Sequence, residues 1–349
     1  MKAGTGNTDA RLEVLVPGLL GPLPVPPQQA PATPVLDLLL ARGDVVERPG
    51  TELAGALLAQ FGAAAAAPYA LAADAVAAGF AMEPASEHDG FWMHADPVHL
   101  RPDRDRLRLF DARHLGISRA EADALVAEVN AHFSGDGLRL VAPAASRWYL
   151  AAEQPPVLET VPLERVIGRS IDGHLPTGPD ARRWARLLNE AQMLLFQSPV
   201  NRAREAAGRP AVNGLWTWGG GRWQPLRGGA VPDRVLGGGP LAAGLAAAAG
   251  AAAGPLPEPA QIAPGSTLAV IDRLRDAVLD SDETAWAAAA DALEAWLAPA
   301  LGALRSGALA ELILDDCDGR GWRLRRGSLR RLWRRPRALV ERLETGGAS

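Results

Sequence analysis

The chain has 349 residues with a net charge of −4 and 48% apolar residues, more than one hydrophobic core usually absorbs and with no overall field to attract nucleic acid or an anionic membrane. Its single cysteine, Cys317, excludes an internal disulfide and a cysteine-based zinc centre. Residues 1–10 are polar and lack the order of a secretory signal, and the longest apolar run, 241–254, is shorter than the roughly 20 residues that span a bilayer, so a cytoplasmic chain with no membrane partner is expected.

Residues 12–16, Leu-Glu-Val-Leu-Val, read as a buried strand ending at Pro17-Gly18, followed by a proline-rich stretch, 22–34, that excludes regular helix. Pro34 near a first helical position and Gly43 past a last one predict a helix between them. Ser118-Arg-Ala-Glu121 is a capping box, opening an amphipathic helix with Leu125, Val126, Val129 and Phe133 on one face. Asp136-Gly137 turns the chain into a strand at 138–141, for which 147–150 is the expected partner. A second long helix begins at Pro179, carries Trp184, Leu187, Leu188, Ala191, Leu194 and Leu195 inward, and stops at Pro199.

The Ala-, Gly- and Pro-rich stretch 241–264 reads as one short helix and a surface connection. Residues 267–271 predict a strand ending at Asp272, and 312–314 another ending at Asp315-Asp316; between them a helix carries Trp286, Leu293 and Trp296. Carboxylates at the carboxyl ends of strands are where open α/β sheets place their sites. From 320 to 337 arginines interleave with Trp322, Leu324, Leu329, Leu332 and Trp333. The pattern predicts a packed strand or turn at Trp322 and Leu324, a following helix anchored by Trp333, and arginines facing water, with nucleic-acid contact ranked below.

Three histidines, His88, His94 and His99, are spaced by six and five residues, which fits neither a helical face nor the usual zinc grouping and reads as a loop. The glycine runs 219–221 and 237–239 lack the ending of a P-loop and read as structural turns.

Ser198-Pro-Val-Asn-Arg202, Arg204, Pro210-Ala-Val-Asn213 and Trp218-Gly-Gly-Gly221 resemble the end of the inserted domain in archaeal-type cofactor-independent phosphoglycerate mutases, of the alkaline phosphatase superfamily. Ala95-Asp-Pro-Val-His-Leu-Arg101 and Trp216-Thr-Trp-Gly-Gly-Gly221 are more similar to the RpfE-type regulatory proteins. Elsewhere Thr33-Pro-Val-Leu-Asp37 and Pro49-Gly-Thr-Glu-Leu-Ala54 resemble, in order, a Thr-Pro-Asn-Leu-Asp element and the loop of the mutases' nucleophile. The resemblance implies an α/β, alkaline-phosphatase-like sheet core flanked by helices (1–90 and 215–338), an inserted α+β domain (91–214) and a C-terminal tail (339–349).

The same resemblance implies site positions. Thr51 stands at the nucleophile; Asn201, Arg202, Arg204 and His99, the last beside Asp96 and Arg101, stand at substrate positions; Asp272, Asp276, Asp315 and Asp316 stand at metal positions. The mutases hold two metals with Asp and His, whereas here Pro17 occupies one ligand position and Asp276 and Asp316 replace expected histidines. The expectation is a regulatory or binding protein without a cofactor, recognising a phosphorylated small molecule or a protein, and not nucleic acid. The alternative is a mutase or phosphatase using Mn or Mg.

Overall fold

The apolar run near the amino terminus becomes β1 (Arg11–Leu15), buried at Leu12, Val14 and Leu15 because it lies inside a sheet and is paired on both sides. This is a computed structural model, and it describes residues 10–79, 90–104, 106–226 and 231–344; His88 lies outside them. The chain divides into two units, 1–62 with 226–349, and 63–225.

In the first unit the strand order among the described residues is β2 (Asp44–Thr51), β12 (Asp318–Leu324), β11 (Glu311–Asp315), β1, β10 (Ser266–Val270), β8 (Arg234–Gly237) and β9 (Ala252–Gly254). The strands from β11 to β9 are parallel, and β12 and β2 continue the sheet antiparallel. In this register Leu15 lies beside both Val270 and Asp315, so the carboxyl ends of β1, β10 and β11 are level. Helices cover the sheet: α1 (Pro34–Arg42), α2 (Glu52–Phe61), α7 (Gly239–Ala249), α8 (Arg273–Leu279) and α9 (Glu283–Ser306).

Asp282 caps α9 by accepting from Ala285 N, and the helix buries Trp286, Leu293, Trp296, Leu297 and Leu304 against the sheet. Thr33 makes no side-chain cap to α1; Glu294 of α9 does that work, accepting from Val35 N at 2.7 Å and Leu36 N at 2.9 Å. The anionic carboxylate thereby docks α1 through its positive end.

The second unit is α+β. Its strands run β4 (Arg106–Phe110), β3 (Phe91–Asp103), β6 (Arg147–Ala152) and β5 (Leu138–Ala144), with β7 (Gly214–Arg222) also paired to β3. Against them lie α3 (Ala67–Ala78), α4 (Arg119–His132), α5 (Ala181–Gln197) and α6 (Pro199–Ala206). The Ser118 capping box is fully formed, and Leu125, Val129, Trp148, Trp184 and Leu195 are buried together. Sequence placed the unit boundaries at 90 and 215. In the fold α3 packs on β3, β5 and β7, which carries 63–79 into this unit, and β7 enters it through its pairing with β3.

The carboxyl-terminal expectation needs one correction. Trp322 and Leu324 are buried in β12, but Trp333 anchors no helix: it is 77% exposed in a turn. Pro336 and arginines at Arg330/Arg334 and Arg331/Arg335, four apart, disfavour a helix there. Two of the arginines expected to face water hold the turn instead. Arg331 grips both oxygens of Asp44, and Arg334 donates to Gly43 O at 2.7 Å. No helix among the described residues is long and apolar enough to cross a membrane.

Candidate functional site

The level ends of β1, β10 and β11 set the first group of predicted residues. Asp315 is 2% exposed; its Oδ1 accepts from Cys317 N at 2.8 Å and its Oδ2 from Arg48 Nε at 2.6 Å. Arg48 reaches in from β2 and also pairs with Glu13 of β1. A Cβ on Gly321 would come within 2.8 Å of the Arg48 side chain, so a glycine there leaves the guanidinium its path to Asp315. Asp316 is likewise engaged, accepting from Asp318 N at 2.9 Å, Arg320 N at 3.0 Å and Arg320 Nε at 2.9 Å. Burial raises the Asp316 carboxyl's pKa, and those donors oppose the rise.

Asp272 precedes α8 and Asp276 lies within its first turn; both pair with Arg275, at 3.4 and 3.0 Å. Beyond β1 there is no side-chain ligand. Pro17 offers no donor atom, and Gly18, at φ +79°, packs so closely on α8 that a Cβ would lie 2.9 Å from the Arg275 backbone. Thr51 is exposed just before α2 and donates to Glu52 Oε2 at 3.2 Å. Asp37 sits in α1, where it accepts from the Thr33 hydroxyl; burial raises its pKa against the Thr33 and Leu339 bonds and the Arg342 charge.

The guanidiniums of Arg48, Arg275 and Arg320 thus already provide the counter-charge at all four predicted metal positions. Among the described residues no three His, Cys, Asp or Glu form a group able to hold a metal ion. The donor set does not fit a two-metal centre: the buried carboxylates have oxygens committed to protein donors, and the position after β1 has none. A separate cavity of about 310 Å³ in this unit is lined mostly by apolar groups, among them Leu256, Ile271, Leu293 and Trp296, with the Arg273–Glu258 ion pair in its wall.

In the second unit two of the predicted phosphate residues, Asn201 and Arg204, are part of the framework. Arg204 is 0% exposed, and it donates to Pro210 O at 2.9 Å, Glu121 Oε2 at 2.8 Å and Leu115 O at 2.5 Å. Asn201 is buried and bridges Leu195 O, Val212 O and Val212 N. His99 Nδ1 meets Ala211 O at 2.9 Å, while Arg202 is exposed. Glu121, which closes the α4 capping box, also receives Arg209. Burial would raise its carboxyl, but Ser118 N, Arg209 and Arg204 outweigh that and lower it to about 2.

The two most distinctive segments of the resemblance prove to be neighbouring strands. Ala95, Asp96 and His94 of β3 lie opposite Thr217, Trp216 and Trp218 of β7. They build a buried polar cluster that the spacing of the histidines did not disclose. The His94 ring stacks on Trp218, centroids 4.2 Å apart at 7°, and lies 4.9 Å from Tyr149. Trp218 Nε1 donates to Asp96 at 2.7 Å, and Asp74 takes two bonds from Arg147 and one from the Tyr149 hydroxyl.

Among the described residues neither ring nitrogen of His94 has a hydrogen-bond partner, and burial, reinforced by the Arg147 charge, lowers its pKa to about 3. Burial raises Asp96 to about 7 despite the Trp218 bond and the Arg147 charge. The glycines after Trp218 serve close packing: a Cβ on Gly221 would stand 2.4 Å from the Ala65 methyl.

No family model matches the chain. Over 60 residues, 17% of this chain and 15% of the relative, it is 38% identical to a 2,3-bisphosphoglycerate-independent phosphoglycerate mutase of Methanothrix thermoacetophila. Over 127 residues, 35% of this chain and 31% of the relative, it is 28% identical to a protein of the same name from Methanosarcina barkeri. The chain therefore matches less than a third of the length of these curated relatives.

Among solved structures, the PH0037 protein of Pyrococcus horikoshii matches with a TM-score of 0.50 and 15% identity over 90% of this chain and 87% of that one. A cofactor-independent phosphoglycerate mutase of Thermoplasma acidophilum matches at 0.42 and 15% over 98% and 95%. The chain is distantly similar in sequence to the archaeal mutases, and it shares its mixed α/β fold with the Pyrococcus protein.

Proposed function

We propose that this chain is a cytoplasmic regulatory or binding protein on a phosphoglycerate-mutase-like scaffold, of the RpfE type that its sequence resembles, and that it recognises a phosphorylated small molecule or a protein without turning it over. One observation carries the reading: each carboxylate at the four metal positions is already paired with a guanidinium of the chain itself. A hydroxyl such as Thr51 is a weak nucleophile unless a base or a metal lowers its pKa, and here the Thr51 hydroxyl donates to its neighbour's carboxylate, Glu52 Oε2 at 3.2 Å. Phosphoryl transfer also needs positive charge on the transferring oxygens, and these arginines already spend theirs on aspartates.

The test is interconversion of 3- and 2-phosphoglycerate by the purified chain with Mn²⁺ or Mg²⁺ added. The expected result is no turnover and no metal-dependent rise in melting temperature. Metal-dependent turnover that disappears in Thr51→Ala would overturn the reading.

A further inference from the structure

From 319 to 340 the chain carries nine of its 36 basic residues and not one Asp or Glu. Several are consumed internally: Arg320 by Asp316 and Glu344, Arg323 and Arg325 by Glu311, and Arg331 and Arg334 by Asp44. Arg330, Arg335 and Arg337 are exposed and have no acidic partner among the described residues. They flank a tight turn closed by Arg334 N donating to Arg331 O at 3.0 Å.

The two residues at the corner of that turn are Leu332 and Trp333, 73% and 77% exposed. Turn corners usually carry Gly, Pro, Asn, Asp or Ser, and a leucine–tryptophan pair there has no local conformational reason. Its stem is not loose: the flanking arginines clamp it to Asp44 and Gly43 O, and Arg331 also donates to Arg42 O at 3.1 Å. The result is an apolar tip on a clamped stem, flanked in the chain by three exposed arginines.

We infer that this turn is a docking point for an anionic lipid surface. Tryptophan favours the headgroup region, where its ring is apolar and its N–H stays wet, and leucine adds apolar contact just beneath. Unpaired arginines beside the tip are attracted to acidic headgroups, each by an amount that corresponds to about a fivefold gain in partition. A single-stranded nucleic acid would employ the tryptophan as a stacking platform and the arginines on phosphate, but would leave Leu332 without a role. A surface carrying both negative charge and an apolar layer accounts for all of the exposed groups. The absence of a strongly basic net charge does not oppose this, because attraction within a Debye length is local.

The test is co-sedimentation of the full chain with phosphatidylcholine vesicles and with vesicles in which about a third of the lipid is phosphatidylglycerol. Binding is expected only to the anionic vesicles and should weaken with salt. Arg330→Gln/Arg335→Gln/Arg337→Gln should reduce it about a hundredfold and Leu332→Ser/Trp333→Ala at least tenfold, with circular dichroism and melting unchanged because these side chains are exposed. No binding by the wild-type chain would overturn the inference, as would vesicle binding unaffected by either variant. So would a variant-sensitive affinity for single-stranded DNA, for polyglutamate or for a second copy of the chain, without vesicle binding.

Discussion

Arg48→Ala removes the guanidinium that serves both Glu13 and Asp315. Asp315 is 2% exposed, and after the substitution Cys317 N at 2.8 Å remains as the donor to its side chain among the described residues. Breaking a buried ion pair from one side leaves an uncompensated charge, which costs about 3–5 kcal/mol. For a unit of this size that corresponds to roughly 10 °C in melting temperature. Calorimetry and urea unfolding should both show the loss, and the double variant Arg48→Met/Asp315→Asn should recover part of it, because it removes the more deeply buried of the two charges that Arg48→Ala strands and leaves Glu13, 17% exposed, without its arginine. An Arg48→Ala protein that melts with the wild type, or a double variant no more stable than Arg48→Ala, would refute the view that arginine is the counter-ion at the end of β11.

Two further outcomes are expected. Asp96 is raised to about 7 in the fold against an ordinary value of 3.8, so the folded state favours its protonated form; that stability is complete below about pH 4 and is lost as pH rises toward 7. Asp96→Asn should therefore stabilise little at pH 4 and by up to about 4 kcal/mol at pH 8, read from urea unfolding across that range, and a pH-independent effect would contradict it. At the carboxyl end, Arg331→Gln/Arg334→Gln should lower the melting temperature because it releases Asp44 and the Gly43 carbonyl, whereas Trp333→Ala should leave it nearly unchanged because that side chain is exposed. Melting curves showing the reverse order would return Trp333 to the role of an anchor.

Local signals were legible in the amino-acid order wherever the deciding interaction is itself local. The Ser118–Glu121 capping box, the Pro34 start of α1, the stop at Pro199 and the aspartates ending β10 and β11 involve groups within a few residues of one another, and each element formed where the pattern put it. The buried strand β3 was not read. It is covered on both faces, so it shows no alternation, and its His94 and Asp96 looked like loop residues until β7 lay beside them.

What only the tertiary structure decided is the pairing of charges. Arg48 and Asp315 are 267 residues apart, Arg331 and Asp44 are 287 apart, and Arg204 and Glu121 are 83 apart. In sequence an arginine reads alike whether it faces water, a phosphate or a carboxylate, because its partner is chosen by strand register and helix packing. That is why Arg204 and Asn201 matched a substrate motif and turned out to hold the second unit's framework. For the same reason the residues at the metal positions could be named from their order, while Arg48 met Asp315 only once β2 was paired to β12 beside the end of β11; Arg275 and Arg320, by contrast, lie within four residues of the aspartates they engage.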